Sequence, residues 1–242
     1  MKLHSSKLDR FTIQYPNSSE YRTLKQEIFT QNCYYFECED VALQNGIGPR
    51  IIDAGAHIGM TSLYFKKIFP FAEIIAIEPN PQMVEIFEHN MWQNDCQNVE
   101  LIQAALGDGT AATTQLFVDA SGDHWDSTAS FQTGAWSRDQ ADQSQALTVP
   151  AVVLSDFLQE PVDFLKMDIE GAELAALTAA RDFLPQIAHC IIEFHPTESQ
   201  TLKQLLELLE RAGFTTTVWR KNRQINPDLA RGLTLVEGVR RK

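Results

Sequence analysis

Ile51-Ile52-Asp53-Ala54-Gly55-Ala56-His57-Ile58-Gly59 is the stretch that decides how this chain is read. Two β-branched residues open a short strand, Arg50–Ala54. A loop with glycines at 55 and 59 follows, and then a segment with helical spacing, Met60–Phe69, that stops at Pro70. Glycine lets a backbone turn tightly and approach another group closely. The amino end of the following helix offers N–H groups to an anion. A second acidic residue, Glu78, stands 25 positions after Asp53, at the end of the next apolar run, Glu73–Glu78.

Outward from this unit the same rhythm repeats. Pro79 and Pro81 open a helix that runs through Trp92, since proline suits a first helical turn. Val99–Leu106 and Val162–Met167 read as strands, Ala172–Leu184 as a helix, and Ala188–Phe194 as a strand. Glu198–Ala212 is amphipathic and ends at Gly213; Phe214–Trp219 and Leu233–Val239 close the chain as strands. Strands that alternate with helices predict an α/β fold, a doubly wound and mostly parallel sheet covered on both faces. The last two strands are read as an antiparallel pair at one edge. Residues 1–49 are a mixed, polar N-terminal extension, with a helical centre over Glu20–Gln31, and are expected to form a lid over the active site. Residues 50–242 form the cofactor domain, interrupted by an irregular insertion at 110–150 that is rich in Thr, Ser, Gln and Asp.

Composition sets the class. Among 242 residues, 44% are hydrophobic and 21% charged, as in a globular domain. The net charge of −12 repels phosphate backbones, so nucleic acid is not an expected partner. The denser basic spots, Arg220-Lys221 with Arg223 and the Arg240-Arg241-Lys242 tail, read as a solvated turn and terminus. Four scattered cysteines form no C-x-x-C pair, which fits a reducing compartment. No apolar run approaches the roughly 20 residues of a membrane span. Together with a polar start, Lys2-Leu3-His4-Ser5-Ser6-Lys7, this gives a cytoplasmic expectation with no membrane partner. A monomer or a homodimer is expected.

The loop spacing chooses among adenosine cofactors. A dinucleotide fold calls for G-x-G-x-x-G. Here the loop reads D-x-G-x-x-x-G, with Asp53 two residues before the first glycine. A pyrophosphate has little use for that carboxylate, whereas the free amino group of a sulfonium amino acid does. Asp53, Gly55, His57 and Gly59 therefore predict S-adenosylmethionine as cofactor. Glu78 is placed to accept hydrogen bonds from the ribose diol. Asp108, in Ala105-Leu106-Gly107-Asp108, is placed to meet the adenine amino group.

These residues, together with Leu165-Lys166-Met167-Asp168-Ile169-Glu170-Gly171-Ala172-Glu173 and Ile192-Glu193-Phe194-His195, resemble the FkbM family of S-adenosylmethionine-dependent methyltransferases. The resemblance covers roughly residues 27–215 and includes Glu27-Ile28-Phe29 and Tyr34-Tyr35. It implies the class I methyltransferase fold, Rossmann-like, with seven strands and the last antiparallel. It also implies methyl transfer, typically to oxygen of a small molecule such as a sugar or secondary metabolite. His57 departs from the pattern, which leads us to expect Asn in the glycine loop.

Methyl transfer needs an aligned nucleophile and often removal of its proton. Asp168, at a strand end, borders the transferable methyl in this fold. Glu193 and His195 are two apart on the neighbouring strand and share a face. His195 is the first candidate for general base, because its ordinary pKa is about 6.5; Asp168 is second, and Glu170 follows in the loop. Glu173 reads as a favourable charge at a helix start. The primary reading assigns no metal, although Asp168, Glu193 and His195 form an alternative donor set for a divalent cation. Tyr34, Tyr35, Trp125 and Trp136 are candidates for acceptor selection. The expected function is O-methylation of a small-molecule or sugar hydroxyl. A nicotinamide-dependent oxidoreductase and a non-catalytic cofactor-binding module are the alternatives.

Overall fold

The computed structural model describes residues 2–38, 48–119 and 144–240. An eight-stranded mixed sheet forms its centre. Five of its strands, β3 (Arg50–Ala54), β4 (Glu73–Ile77), β5 (Val99–Ile102), β9 (Val162–Met167) and β10 (Ile187–Phe194), run parallel. Three further strands, β11 (Phe214–Arg220), β12 (Arg223–Gln224) and β13 (Thr234–Arg240), complete the order β12-β11-β13-β10-β9-β3-β4-β5. The expected seven strands become eight because Arg223–Gln224 fold back onto the outer side of β11. The antiparallel strand also differs in place. β13 pairs with β11 as expected, but it sits between β11 and β10 rather than at the edge.

β3 and β9 are neighbours although about a hundred residues separate them. The chain leaves β3 in one direction, through β4 and β5, and returns at β9 to continue the other way. That reversal is the switch point at which open α/β sheets bind ligands, beyond the carboxyl ends of their strands.

Local signals set the helices that cover the sheet. α1 (Ser18–Leu24) runs into a π-helical turn at Lys25–Thr30. α2 (Met60–Ile68) starts at Gly59 and ends where Phe69, the residue before Pro70, leaves helical geometry. Asn80 caps α3 (Pro81–Gln93) by accepting from the Gln82 N–H. α4 (Glu173–Ala179) is shorter than its apolar spacing suggested. α5 (Leu202–Arg211) begins late because Thr201 and Gln204 form a reciprocal capping box.

Alternate strand residues feed opposite faces. Ile51 and Phe164 join one buried cluster with α2 and α3; Ile52 and Leu165 join the other with α4 and α5. The N-terminal extension is part of the first cluster. Phe36 stacks on Phe164 with ring centres 4.1 Å apart. A hairpin of β1 (His4–Leu8) and β2 (Phe11–Tyr15) lies on α3. Its outer edge is closed by asparagines rather than by a third strand. Asn94 accepts from the Thr12 N–H at 2.8 Å and donates to the Thr12 carbonyl at 2.7 Å. Asn90 does the same for Gln14, at 2.7 and 3.0 Å.

The predicted strand Val99–Leu106 is two strands. After β5 the chain turns, and β6 (Ala105–Leu106) joins a small sheet with β7 (Thr113–Asp119) and β8 (Ser144–Val152). β7 and β8 are the antiparallel arms of the irregular insertion.

Candidate active site

A cavity of about 550 Å³ opens at the carboxyl ends of β3, β4, β9 and β10. Its walls include the switch-point loops, the N-terminal extension (Glu20, Glu27, Gln31, Cys33, Tyr34), the β11–β12 turn (Trp219, Arg220, Lys221, Asn222) and the start of β13.

One end of the cavity is built around Glu78. The residue is 6% exposed, and its two carboxylate oxygens accept the backbone N–H groups of His57 and Asn80, each at 2.8 Å. Burial raises its pKa to about 7. Those two bonds fix the carboxylate and leave further lone pairs for hydroxyl donors. His57 adopts a left-handed backbone, φ +50°. Its ring is mostly buried, with Nε2 3.6 Å from a Glu20 carboxylate oxygen; burial, then Lys166, push its pKa down to about 3. Its useful contribution to this end of the cavity is the backbone N–H. Ala104, Ala105 and Leu106 supply an adjacent apolar wall.

Two glycines divide their duties. Gly55 lines the cavity, and its φ of +76° and the Asp168 carbonyl, which a Cβ there overlaps, both demand glycine. Gly59 does not line the cavity. A Cβ there meets Met91 Cε at 2.7 Å and Phe87 at 3.0 Å, so Gly59 lets α3 pack against the loop.

Asp53 and Asp108 also stand away from the cavity. Asp53 is fully buried, bonded to Ser62 Oγ at 2.7 Å, with Lys166 Nζ 3.4 Å away between it and the cavity. Lys166 lines the floor and donates to the carbonyls of Gly55 at 2.5 Å and Ala54 at 3.1 Å. The residue that touches the glycine loop is therefore Lys166, which sequence reasoning passed over. A lysine inside Leu165–Met167, amid apolar strand residues, was the available signal. Asp108 is exposed and accepts from Thr110 N–H and Oγ at 2.9 and 2.6 Å. It caps its own turn because the chain has already left the main sheet by Leu106.

The profile of the FkbM methyltransferase domain matches residues 53–216. This chain belongs to the FkbM methyltransferase family. Methyltransferase sdnD of Sordaria araneosa is 30% identical over 234 residues, covering 86% of this chain and 88% of that one. The 31-O-demethyl-FK506 methyltransferase FkbM of Streptomyces tacrolimicus is 27% identical over 232 residues, with 84% and 85% covered. Among solved structures, magnesium protoporphyrin IX methyltransferase from Synechocystis PCC 6803 with bound SAM aligns over 92% of this chain and 83% of its own, at 13% identity and a TM-score of 0.48. The chain is accordingly an S-adenosylmethionine-dependent methyltransferase of the FkbM type, and the nicotinamide reading falls away.

The second end of this FkbM-family cavity gathers Asp168, Glu170, Glu193 and His195. His195 Nδ1 lies 2.9 Å from Glu173 Oε1. Glu173 is completely buried; it accepts the Gly171 N–H at 3.0 Å and the Gln200 amide at 2.5 Å. It is thus the orienting partner of His195 and more than a helix-start charge. His195 Nε2 faces Glu170 at 3.5 Å and Asp168 at 4.0 Å. Burial lowers the His195 pKa, but the Glu173 hydrogen bond and the Asp168 and Glu170 carboxylates outweigh it and raise it to about 10. A histidine so placed holds its proton at neutral pH in the free protein. That differs from the base of ordinary pKa that sequence reading expected.

Tyr34 is buried and donates its hydroxyl to Glu193 at 3.1 Å, whereas Tyr35 is exposed and outside the cavity wall. Trp125 and Trp136 lie outside the described residues. Arg220 and Lys221, read from sequence as a solvated turn, stand at the cavity mouth beside Trp219. Asn222 fixes that turn by donating to Gln31 at 2.6 Å.

Proposed function

We propose that this methyltransferase moves the methyl of S-adenosylmethionine to a hydroxyl of a small molecule or sugar. The observation that carries the reading is that one cavity joins a carboxylate preset for a ribose diol to a cluster of acid and imidazole groups. Glu78, held by the His57 N–H, suits the adenosine of such a cofactor together with Gly55 and the Ala104–Leu106 wall. Asp53 acts on this end through Lys166, which holds the two loop carbonyls in place. The bound cofactor supplies a methyl group activated by positive sulfur.

At the other end, Asp168, Glu193 and His195 receive the acceptor hydroxyl and hold it in line. Because His195 keeps a proton in the free protein, withdrawal of the hydroxyl proton falls to the carboxylates. Glu173 holds the imidazole plane. The N-terminal extension acts as a lid on a core-packed base: its Glu20, Glu27 and Tyr34 reach the cavity, while Phe36 anchors it.

Turnover of S-adenosylmethionine with an isotope-labelled methyl against a panel of hydroxylated acceptors tests this. Recovery of label as an O-methyl ether or ester is expected. Label on nitrogen or carbon, or no melting-temperature rise with either S-adenosylmethionine or its demethylated product, overturns it.

A further inference from the structure

We propose that Asp168, Glu193 and His195 hold a divalent cation, and that this ion receives the acceptor hydroxyl. The proposal rests on the methyl-transfer reading and adds a metal that the loop and cofactor motifs do not call for.

Geometry comes first. One carboxylate oxygen from each acid and one imidazole nitrogen all lie within 4.8 Å of one another. Around a six-coordinate ion with bonds of about 2.1 Å, neighbouring donors sit about 3.0 Å apart and opposite donors about 4.2 Å. The Asp168–His195 separation of 4.0 Å already lies in that range. Small side-chain movements close the set.

The histidine is prepared as a ligand. Glu173, buried and held by Gly171 and Gln200, takes Nδ1, which leaves Nε2 for the ion. A carboxylate behind the imidazole is the usual support of a metal-bound histidine. A general base has the same support, so the groups in front decide. Nε2 meets two carboxylates, Glu170 at 3.5 Å and Asp168 at 4.0 Å.

Asp168 supplies a second, independent sign. Its Oδ1 is buried and has no hydrogen-bond partner among the described residues. A buried acceptor without a partner is costly, and a carboxylate more so. A cation between Asp168, Glu193 and His195 satisfies that oxygen and balances the acids together. Two carboxylates with one imidazole suit manganese or magnesium better than a thiolate-seeking metal. Three protein donors leave positions on a six-coordinate ion for the acceptor, and an ion there lowers the pKa of a bound hydroxyl.

Titration of the metal-free chain with manganese chloride, read by electron paramagnetic resonance and calorimetry, tests the site. One ion per chain is expected, with affinity reduced at least about tenfold in Glu193→Gln. Nitrogen hyperfine coupling to the bound manganese in the unmodified chain is also expected, and it needs no variant to fold. The demethylated cofactor is added in parallel, with chelator. If it raises the melting temperature while manganese does not bind, the metal is overturned and the methyltransferase reading stands. If neither binds, both are overturned. Manganese bound without nitrogen coupling, or equally well by Glu193→Gln, places the ion elsewhere and overturns the site.

Discussion

Lys166 Nζ stands 3.4 Å from the carboxylate of Asp53, in an interior where Lys166 is 2% exposed and Asp53 is 0%. The pair joins two adjacent strands, and the lysine continues to the carbonyls of Ala54 and Gly55. Lys166→Met leaves Asp53 with Ser62 as its hydrogen-bond partner. A loss of about 3–5 kcal/mol is expected in denaturant unfolding at pH 8. The loss shrinks at pH 5, where the stranded carboxyl takes a proton. The double variant Asp53→Asn/Lys166→Met recovers much of it, and a double-mutant cycle measures the coupling.

Gly55 and Gly59 respond differently to the same methyl group. In Gly55→Ala the new Cβ overlaps the Asp168 carbonyl, a backbone atom that cannot move without parting β3 from β9. We expect a loss of at least about 3 kcal/mol or no folded protein. In Gly59→Ala the closest atom is the flexible end of Met91, and a loss of about 1–2 kcal/mol is expected from the left-handed backbone. His57→Asn, which tolerates φ +50°, keeps cofactor affinity within about threefold, because it is the backbone N–H of residue 57 that holds Glu78 in place. Unfolding curves and cofactor calorimetry distinguish the three.

Glu173→Gln tests the partner of His195. The amide oxygen still accepts from the Gly171 N–H and from His195 Nδ1, but the carboxylate charge is gone and the new NH2 faces the Gln200 amide. The His195 pKa is expected to fall from about 10, which proton titration by nuclear magnetic resonance reads directly. Turnover is expected to fall about 10–100-fold. A structural role alone leaves the histidine titration unchanged.

Glu78 makes the free protein sensitive to pH. Its folded pKa of about 7 lies above the ordinary 4.5, so the fold prefers the neutral acid. The native state therefore binds more protons than the unfolded one between those values. Stability from this group is present below pH 4.5 and is lost as pH rises through about 7. The change is on the order of 3 kcal/mol. Thermal unfolding of the cofactor-free chain from pH 5 to 8 should show the decline. Glu78→Gln should flatten it.

Much of this was legible from the residues. The strand-helix rhythm, the glycine loop, the Glu78 position and the Asp168–Glu173 block are local, and local spacing reports them. What stayed hidden depends on neighbours far apart in the chain. Lys166 meets Gly55 across 111 positions, and Tyr34 meets Glu193 across 159. Asp108 illustrates the reverse. Its spacing fits a strand end, but the sheet had ended at Ile102, and nothing local marks that exit. Gly59 was read as a ligand glycine because a packing glycine has the same local appearance. Arg220 and Lys221 are exposed, as their reading as a solvated turn expects, but that this turn borders the cavity depends on Gln31, to which Asn222 donates.

The asparagine closure of the N-terminal hairpin has a consequence for how the protein can vary. Asn90 and Asn94 grip Gln14 and Thr12, two residues apart on β2, from the last turn of α3 and the residue that caps it. They act as a two-toothed rack. A shift of β2 by one residue disengages both teeth and turns Phe11 and Ile13 outward. Side chains on the exposed side of the hairpin are free to change, but the number of residues between β2 and the cavity wall is metered by a helix that starts beside Glu78.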